Sequence, residues 1–98
     1  MSGMKGDSIV VRREGWLTAR VGDDLMMMNA DSDFYLNLSG SGGRIWELLE
    51  HPTTVADICQ ALAREYEIEP EVARPEVMAF LDQLLLRKAI DVHPPAVA

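Results

Sequence analysis

The sequence has little of the chemistry that most active sites use. Cys59 is its only cysteine, so the chain can form neither an internal disulfide nor a Cys-based zinc site. The two histidines, His51 and His93, have no partner at metal-ligand spacing. A lone cysteine beside Ile58 on a predicted helix is typical of a small core residue rather than a nucleophile. We therefore expect no metal, no cofactor and no enzymatic activity.

Basic residues are also scarce. Nine lysines and arginines stand against sixteen acidic residues, which gives a formal net charge of −7. Proteins that bind nucleic acid through its phosphates generally have a basic face, because counterion release supplies much of the affinity. The composition therefore predicts no nucleic-acid partner.

Long apolar runs are missing as well. No run approaches the roughly 20 residues of a membrane helix, and Met1–Gly6 lacks the hydrophobic region of a signal peptide. The expected location is the cytoplasm, with no membrane partner. The 98 residues suffice for one small domain.

The first half of the chain has the pattern of short strands separated by turns. In the last of these strands Phe34, Leu36 and Leu38 alternate with Tyr35 and Asn37, so the two sets lie on opposite faces. The sequence predicts a small antiparallel meander with strands at Trp16–Val21, Leu25–Met28 and Phe34–Leu38, and Ile9–Arg12 can form a further short strand.

The second half changes to the helical period. Ser41 is the expected N-cap of a first helix that runs to about Leu49. Thr54 with Asp57 resembles a capping box at the start of a second helix. The predicted buried side of that second helix is Val55, Ile58, Leu62 and Tyr66.

A third helix is predicted to begin at Pro75. A start at Pro70 would leave a second proline inside the helix. Ile90–Val92 can add a terminal strand, so the expected domain is 9–92, between a flexible N-terminus at 1–8 and a disordered tail at 93–98. The predicted buried stripe of the third helix is Val77, Phe80, Leu81, Leu84 and Lys88.

This order of elements predicts an α+β fold of the winged helix-turn-helix type, a three-stranded antiparallel sheet followed by three helices. The architecture suits DNA readers and peptide readers alike, so the function must be argued from the site.

The glycine-rich turn LSGSGGR, between the last strand and the first helix, lacks the pattern of a phosphate loop. It matches neither GxxxxGK[ST] nor GxGxxG, and no βαβ unit surrounds it. Its predicted role is a tight reversal in which the glycines allow the strand and the helix to pack closely.

The third helix has a wider apolar face than its core contacts need. With Val77 and Leu81 facing inward, Met78 and Leu85 lie about 80–100° round the helical wheel. One interpretation packs Met78 and Leu85 on the sheet or in a homodimer. The other has them line a groove beside Phe34–Leu38, whose free edge could accept an added strand from a peptide.

Beyond these patterns, residues 38–84 resemble the PqqD family, named for a pyrroloquinoline quinone (PQQ) biosynthesis protein. They also resemble its relatives, the recognition elements of ribosomally made, modified peptides (RiPPs). The family pattern is Leu-Asn-x-Thr-Gly/Ala-x-x-Ile-Trp/Leu, then Thr-x-x-x-Ile-x-x-x-Leu and Asp-Val-x-x-Phe-Leu-x-x-Leu. The matching residues are Leu38, Ser41, Gly42, Ile45, Trp46, Thr54, Ile58, Leu62, Val77, Phe80, Leu81 and Leu84.

The resemblance covers about Leu25 to Ile90, and Trp46 brings it closest to the members from lasso-peptide pathways. Three places depart from the pattern: Ser39 stands where Asn is usual, Glu76 where Asp is usual, and Lys88-Ala89 where Gly-Leu is usual.

The resemblance implies a non-catalytic domain that holds the leader of a precursor peptide as an extra strand, in a cleft walled by the third helix. The partner enzyme would be the leader peptidase and cyclase of a lasso-peptide pathway. The alternatives are a PQQ-type peptide chaperone that serves a radical SAM enzyme, and a winged-helix DNA-binding regulator, which the charge disfavours. The peptide-binding residues expected on this basis, together with the helical wheel, are Asp33, Phe34, Tyr35, Leu36, Asn37, Leu38, Met78, Leu81, Asp82 and Leu85.

Overall fold

The chain forms two three-stranded antiparallel sheets and three helices within the residues described. The structure is a computed structural model that describes residues 4–38 and 40–94. The elements are, in chain order, β1 (Ile9–Arg12), β2 (Trp16–Val21), β3 (Asp24–Asn29), β4 (Tyr35–Leu38), α1 (Ser41–Leu48), β5 (Thr53–Thr54), α2 (Val55–Tyr66), α3 (Pro70–Leu86) and β6 (Ile90–His93).

The first sheet is the predicted meander, with β3 between β2 and β4. Its register places Ala19 opposite Met26, and Met26 opposite Asn37. β1 does not join this sheet. It lies between β5 and β6, where Val10 pairs with Thr53 on one side and with Val92 on the other. The prediction of a meander is therefore confirmed for β2, β3 and β4, whereas β1 is the central strand of a second sheet, between β5 and β6.

One hydrophobic core joins the sheets to the helices. Val10, Met27, Ile45, Ile58 and Leu81 have no exposed surface, and they come from β1, β3, α1, α2 and α3 in turn. Burial of such side chains stabilises the fold by about 1.5–3 kcal/mol each relative to an exposed position.

Residues 4–8, predicted to be loose, are packed against the start of α2. Met4 and Ser8 are buried. The carbonyl of Ser8 accepts a 3.1 Å hydrogen bond from the N–H of Val55, and the carbonyl of Gly6 accepts one of 2.8 Å from Ala56. At the other end His93 belongs to β6 rather than to a tail. Pro94 follows β6 and is exposed, and residues 1–3 and 95–98 of the predicted flexible terminus and tail lie outside the described residues.

Ser41 is not the N-cap of α1. Gly40 occupies that position with a φ of 59°, a conformation that glycine adopts without strain. Ser41 is the first helical residue, and its hydroxyl donates a 3.2 Å hydrogen bond to Glu76 on α3. By contrast, the predicted cap of α2 is confirmed, because the Thr54 side chain accepts a 3.1 Å hydrogen bond from the N–H of Asp57.

The prediction that α3 begins at Pro75 is wrong. Pro70 is its first residue, and Pro75 lies inside the helix. Pro75 removes one backbone hydrogen bond. Ala73 is only 3 % exposed and packs into the same core as Val77, so burial of the first turn offsets the lost bond.

Two residues of the predicted buried stripes are exposed because their helices end at that point. Tyr66 is the last residue of α2 and is 51 % exposed; Glu67 follows it in the left-handed conformation that commonly ends helices. α3 ends at Leu86, so Lys88, with a φ of 60°, lies beyond it.

Candidate functional site

The outer edge of β4 is free of backbone partners within the part of the chain that the structure describes. β4 pairs with β3 alone, so one side of its backbone has no neighbouring strand. The N–H of Asn29 donates a 2.7 Å hydrogen bond to the carbonyl of Phe34. Hydrogen-bonded pairs alternate along an antiparallel ladder, so Leu36 and Leu38 also direct their backbone groups to β3. Tyr35 and Asn37 therefore direct their N–H and carbonyl groups outward.

The side chains of β4 alternate as the sequence predicts. Leu38 is buried and Leu36 is half-buried, and both pack on the core side of the sheet. Tyr35 and Asn37 are exposed on the opposite face. A strand added to this edge would meet outward backbone groups only at Tyr35 and Asn37, and apolar side chains on the core side.

The C-terminal half of α3 approaches β4 at two places, one near each end of the strand. At one end the guanidinium of Arg87 lies 4.6 Å from the ring centroid of Phe34. At the other end Phe80 approaches Leu38 across Gly42. A Cβ on Gly42 would lie 3.0 Å from Phe80 Cε1 and 3.5 Å from Leu38 Cβ. The absence of a side chain at Gly42 is therefore what admits the aromatic ring.

These two contacts show which flank of α3 faces the strand. Phe80 and Arg87 are seven residues apart, which places them on one side of a helix. Gln83, three residues after Phe80 and four before Arg87, lies on the same flank and is exposed. We call the space between these elements the β4–α3 groove. It is lined by Phe34, Leu36 and Leu38 on the strand side and by Phe80, Gln83 and Arg87 on the helix side.

The helix residues predicted for the site lie elsewhere. Met78 and Leu85 are two residues before Phe80 and Arg87, so they point about 160° away from them around the axis. Leu85 lines a cavity of about 420 Å³ with Val92 and His93 of β6 and with part of the segment Met4–Ser8. The structure therefore does not bring Met78 and Leu85 to β4.

The remaining predicted residues divide in the same way. Asp82 shares the flank of Met78, four residues further along, and Leu81 is fully buried in the core. Of the strand residues, Asp33 is exposed with a φ of 56° and precedes β4, while Phe34 touches Arg87. The predicted strand residues are therefore adjacent to the groove, whereas Met78, Leu81, Asp82 and Leu85 do not line it and Phe80, Gln83 and Arg87 lie on the flank of α3 that does.

Charge is distributed unevenly along the groove. Arg87, at the Phe34 end, contacts that aromatic ring and has no carboxylate within ion-pair distance among the described residues. Glu76, one turn before Phe80 on the same flank, accepts the hydrogen bond from Ser41 at the Leu38 end. A guest strand would therefore meet a cation at one end and a carboxylate at the other.

The edges at β2 and β6 are less suited to an added strand than the edge at β4. β2 is the opposite edge of the same sheet, but five of its six residues are exposed, so a guest strand there would have no wall to pack against. β6 is an edge of the second sheet, and the cavity at Leu85 lies beside it. That cavity is already lined by the chain's own residues 4–8.

The described residues hold no cluster of three or more His, Cys, Asp or Glu that could bind a metal. Cys59 is 4 % exposed, and burial raises the pKa of its thiol. A thiol that stays protonated is a poor nucleophile. Among these residues no helix is long and apolar enough to cross a membrane.

A model of a known protein family matches most of the chain. Residues 24–90 match the family described as "Coenzyme PQQ synthesis protein D (PqqD)". The chain belongs to the PqqD family. The matched region begins with β3 and ends at the first residue of β6, so it contains β4 and α3 together. No curated protein matches the chain.

Two solved structures share the fold of this PqqD-family chain. One is described as "TbiB1 in Complex with the TbiA(beta) Leader Peptide"; it is 22% identical, with a TM-score of 0.74, and 83% of this chain and 94% of that chain are covered. The other is "Lasso peptide synthetase B1 complexed with the leader peptide", at 23% identity and a TM-score of 0.70, with 84% and 96% covered. At this level of identity the likeness establishes the common fold.

Proposed function

We propose that this chain is a non-catalytic recognition protein that binds the leader segment of a ribosomally made precursor peptide as a strand added to β4. The observation that carries the proposal is the pairing of an unpartnered strand edge with an open helix flank in the β4–α3 groove. The two similar solved structures are both complexes with leader peptides, which supports the same use of this fold.

The guest strand would be held by two kinds of contact. Backbone groups of Tyr35 and Asn37 would exchange hydrogen bonds with it, which supplies affinity that is largely independent of sequence. Every second guest side chain would enter the groove and contact Leu36, Phe80 and Gln83, which supplies sequence preference.

The charges at the two ends of the groove would orient the guest. An acidic side chain of the leader is favoured near Arg87, and a basic one near Glu76. Both positions are solvent-exposed, so each contributes at most about 1 kcal/mol and more to direction than to affinity.

The domain would deliver the precursor peptide to an enzyme and would not itself catalyse a reaction. Holding the leader raises the effective concentration of the attached core peptide at a modifying enzyme. We propose the leader peptidase and cyclase of a lasso-peptide pathway in the cytoplasm as that enzyme system. The family description favours one second candidate, a PQQ-type chaperone for a radical SAM enzyme.

A DNA-binding role for a winged helix-turn-helix is disfavoured by charge. The segment that precedes and opens α3 carries Glu65, Glu67, Glu69, Glu71 and Glu76, which would lie against phosphates if this region entered a groove of DNA. A gel-shift assay on duplex DNA at low salt checks this, and we expect no shift.

The deciding experiment titrates into the protein a synthetic leader peptide of about 15–25 residues, taken from any precursor gene that is found next to the gene for this chain. We expect a Kd near 1 μM or below, which corresponds to a standard free energy of about −8 kcal/mol or more favourable. In NMR spectra the amides of Tyr35 and Asn37 should become protected from solvent, and cross-strand contacts to the peptide should appear. A scrambled leader is the control. Binding without protection at β4 would contradict the strand-addition proposal.

A further inference from the structure

The face of the β2–β3–β4 sheet that points away from the helices is apolar. Residues opposite each other across strands share a face, and the register pairs Leu17 with Met28, Ala19 with Met26, and Met28 with Tyr35. We call this the outer sheet face. It consists of Leu17, Ala19, Val21, Asp24, Met26, Met28, Tyr35 and Asn37, with Asp24 at one end, where it accepts a hydrogen bond from Asn37.

This face has no cover from the described residues. Leu17 is 60 %, Val21 62 %, Met28 47 % and Tyr35 65 % exposed. These four residues leave a largely apolar surface open, and exposed apolar patches of this kind on monomers are often functional. A shallow concavity of about 370 Å³ is lined by Ala19, Met26, Met27, Met28 and Tyr35.

Both ends of the outer sheet face are acidic. Asp23 lies in the turn between β2 and β3 and Asp24 is the first residue of β3, while Asp31 and Asp33 lie in the connection between β3 and β4. Arg20 does not offset them here, because its side chain is on the opposite face of β2, where it pairs with Glu47. The surface is therefore an apolar centre between two carboxylate pairs.

The acidic ends indicate which kind of protein can cover the outer sheet face. In a face-to-face dimer of this chain the acidic turns of one copy would lie against those of the other in either orientation, and each copy carries a net charge of −7. A different protein with an apolar patch bordered by lysines and arginines complements both the centre and the ends. Charge complementarity thus favours a heterologous partner over a second copy.

The outer sheet face is continuous with the edge of β4. The Tyr35 side chain belongs to this face, while its backbone groups face the proposed guest strand. A protein docked here would lie directly beside a bound leader.

We propose that the outer sheet face docks a folded protein with a basic-rimmed apolar patch, and that this protein is the enzyme that receives the leader. The inference rests on the proposed function for the identity of the partner. The two sites remain separable by mutation, because Leu17 and Val21 lie on β2, away from the β4 edge.

The test uses the double variant Leu17→Glu/Val21→Glu, with Thr18→Glu as the matched control on the opposite face of the same strand. All three side chains are exposed, so the fold should tolerate each change. The probes are a purified leader peptidase and a purified cyclase, taken from any lasso-peptide gene cluster that contains the gene for this chain. Each is measured by surface plasmon resonance, with the leader peptide titrated in parallel.

We expect the double variant to bind one of these enzymes at least tenfold more weakly, with Thr18→Glu and the leader affinity unchanged within twofold. Wild-type binding to that enzyme should also weaken as NaCl is raised from 50 to 500 mM, because salt screens the acidic rim. Unchanged enzyme binding by the double variant overturns the inference, as does no binding of either enzyme by the wild type. If sedimentation shows that the wild type is a dimer and the double variant is a monomer, the outer sheet face binds a second copy of this chain instead. If the wild type does not bind the leader peptide, the proposed function is contradicted. The docking of an enzyme on the outer sheet face is still tested in that case, because enzyme binding is measured without the leader.

Discussion

Arg87, just beyond the end of α3, stacks its guanidinium on the ring of Phe34, just before β4, at 4.6 Å from the ring centroid. The contact joins two elements that are far apart in the sequence. Together with Phe80 against Gly42, it determines which flank of α3 faces the free edge of β4.

Removing this cation should loosen the groove at the Phe34 end. We expect Arg87→Ala to lower the free energy of unfolding by about 0.5–1 kcal/mol, the usual contribution of an exposed cation–π contact. Urea denaturation followed by circular dichroism measures the change, with Arg64→Ala, an exposed arginine on α2, as the control. Equal midpoints for the two variants would show that the stacked contact contributes nothing measurable.

Asn37 allows a test of the backbone edge alone. Its N–H points away from β3, so Asn37→Pro should leave the β3–β4 ladder intact and remove one donor from the guest side. We expect leader binding to weaken about tenfold, or 1.4 kcal/mol, close to the contribution of one hydrogen bond. Asn37→Ala is the matched control, because it loses the same side chain and the same contact to Asp24 but keeps the N–H. If both variants bind the leader equally, the guest does not pair with β4.

A pair of charge variants distinguishes the two flanks of α3. A carboxylate at position 83 would be desolvated beneath a strand in the groove, whereas one at position 85 would face β6. We therefore expect Gln83→Glu to weaken leader binding about tenfold and Leu85→Glu to change it less than twofold, as measured by calorimetry. The opposite ranking would place the guest strand at β6.

The adjacent glycines of α1 provide a packing test. Alanine normally stabilises a helix relative to glycine by up to about 1 kcal/mol. At Gly43 the new Cβ would meet Leu25 Cβ at 3.4 Å, but at Gly42 it would meet the Phe80 ring at 3.0 Å and push it towards the groove. We expect Gly42→Ala to be less stable than Gly43→Ala by about 1 kcal/mol or more in thermal denaturation. Equal stability of the two variants would show that the Phe80 ring is not held in place.

Much of the local structure could be predicted from the sequence. The alternation of Leu36 and Leu38 with Tyr35 and Asn37 depends on backbone geometry within one strand, and it is confirmed. The cap at Thr54 depends on an N–H three residues away, and it is confirmed as well. Features that arise within a few residues of one another are visible in the sequence because nothing distant has to be known.

The rotation of α3 about its axis was not predictable in this way. The helical wheel offers two flanks beside the buried stripe, and the one with Met78 and Leu85 is the more apolar, so sequence reasoning assigned it to the groove. The contacts of Phe80 with Gly42 and of Arg87 with Phe34 join residues that are far apart in the sequence, so no local sequence pattern predicts them. The start of α3 at Pro70 also depends on contacts that are distant in the sequence. Burial of Ala73 in the core offsets the backbone hydrogen bond that the internal Pro75 removes.

The amino-acid sequence was enough to predict a small acidic α+β domain whose fourth strand has one apolar face. The flank of α3 that lies against that strand, the strands that pair with β1 and the openness of the outer sheet face became known from the folded chain alone. Strand alternation and helix caps are set by neighbours along the chain, whereas the phase of a helix against a sheet is set by side chains that meet only after the chain has folded.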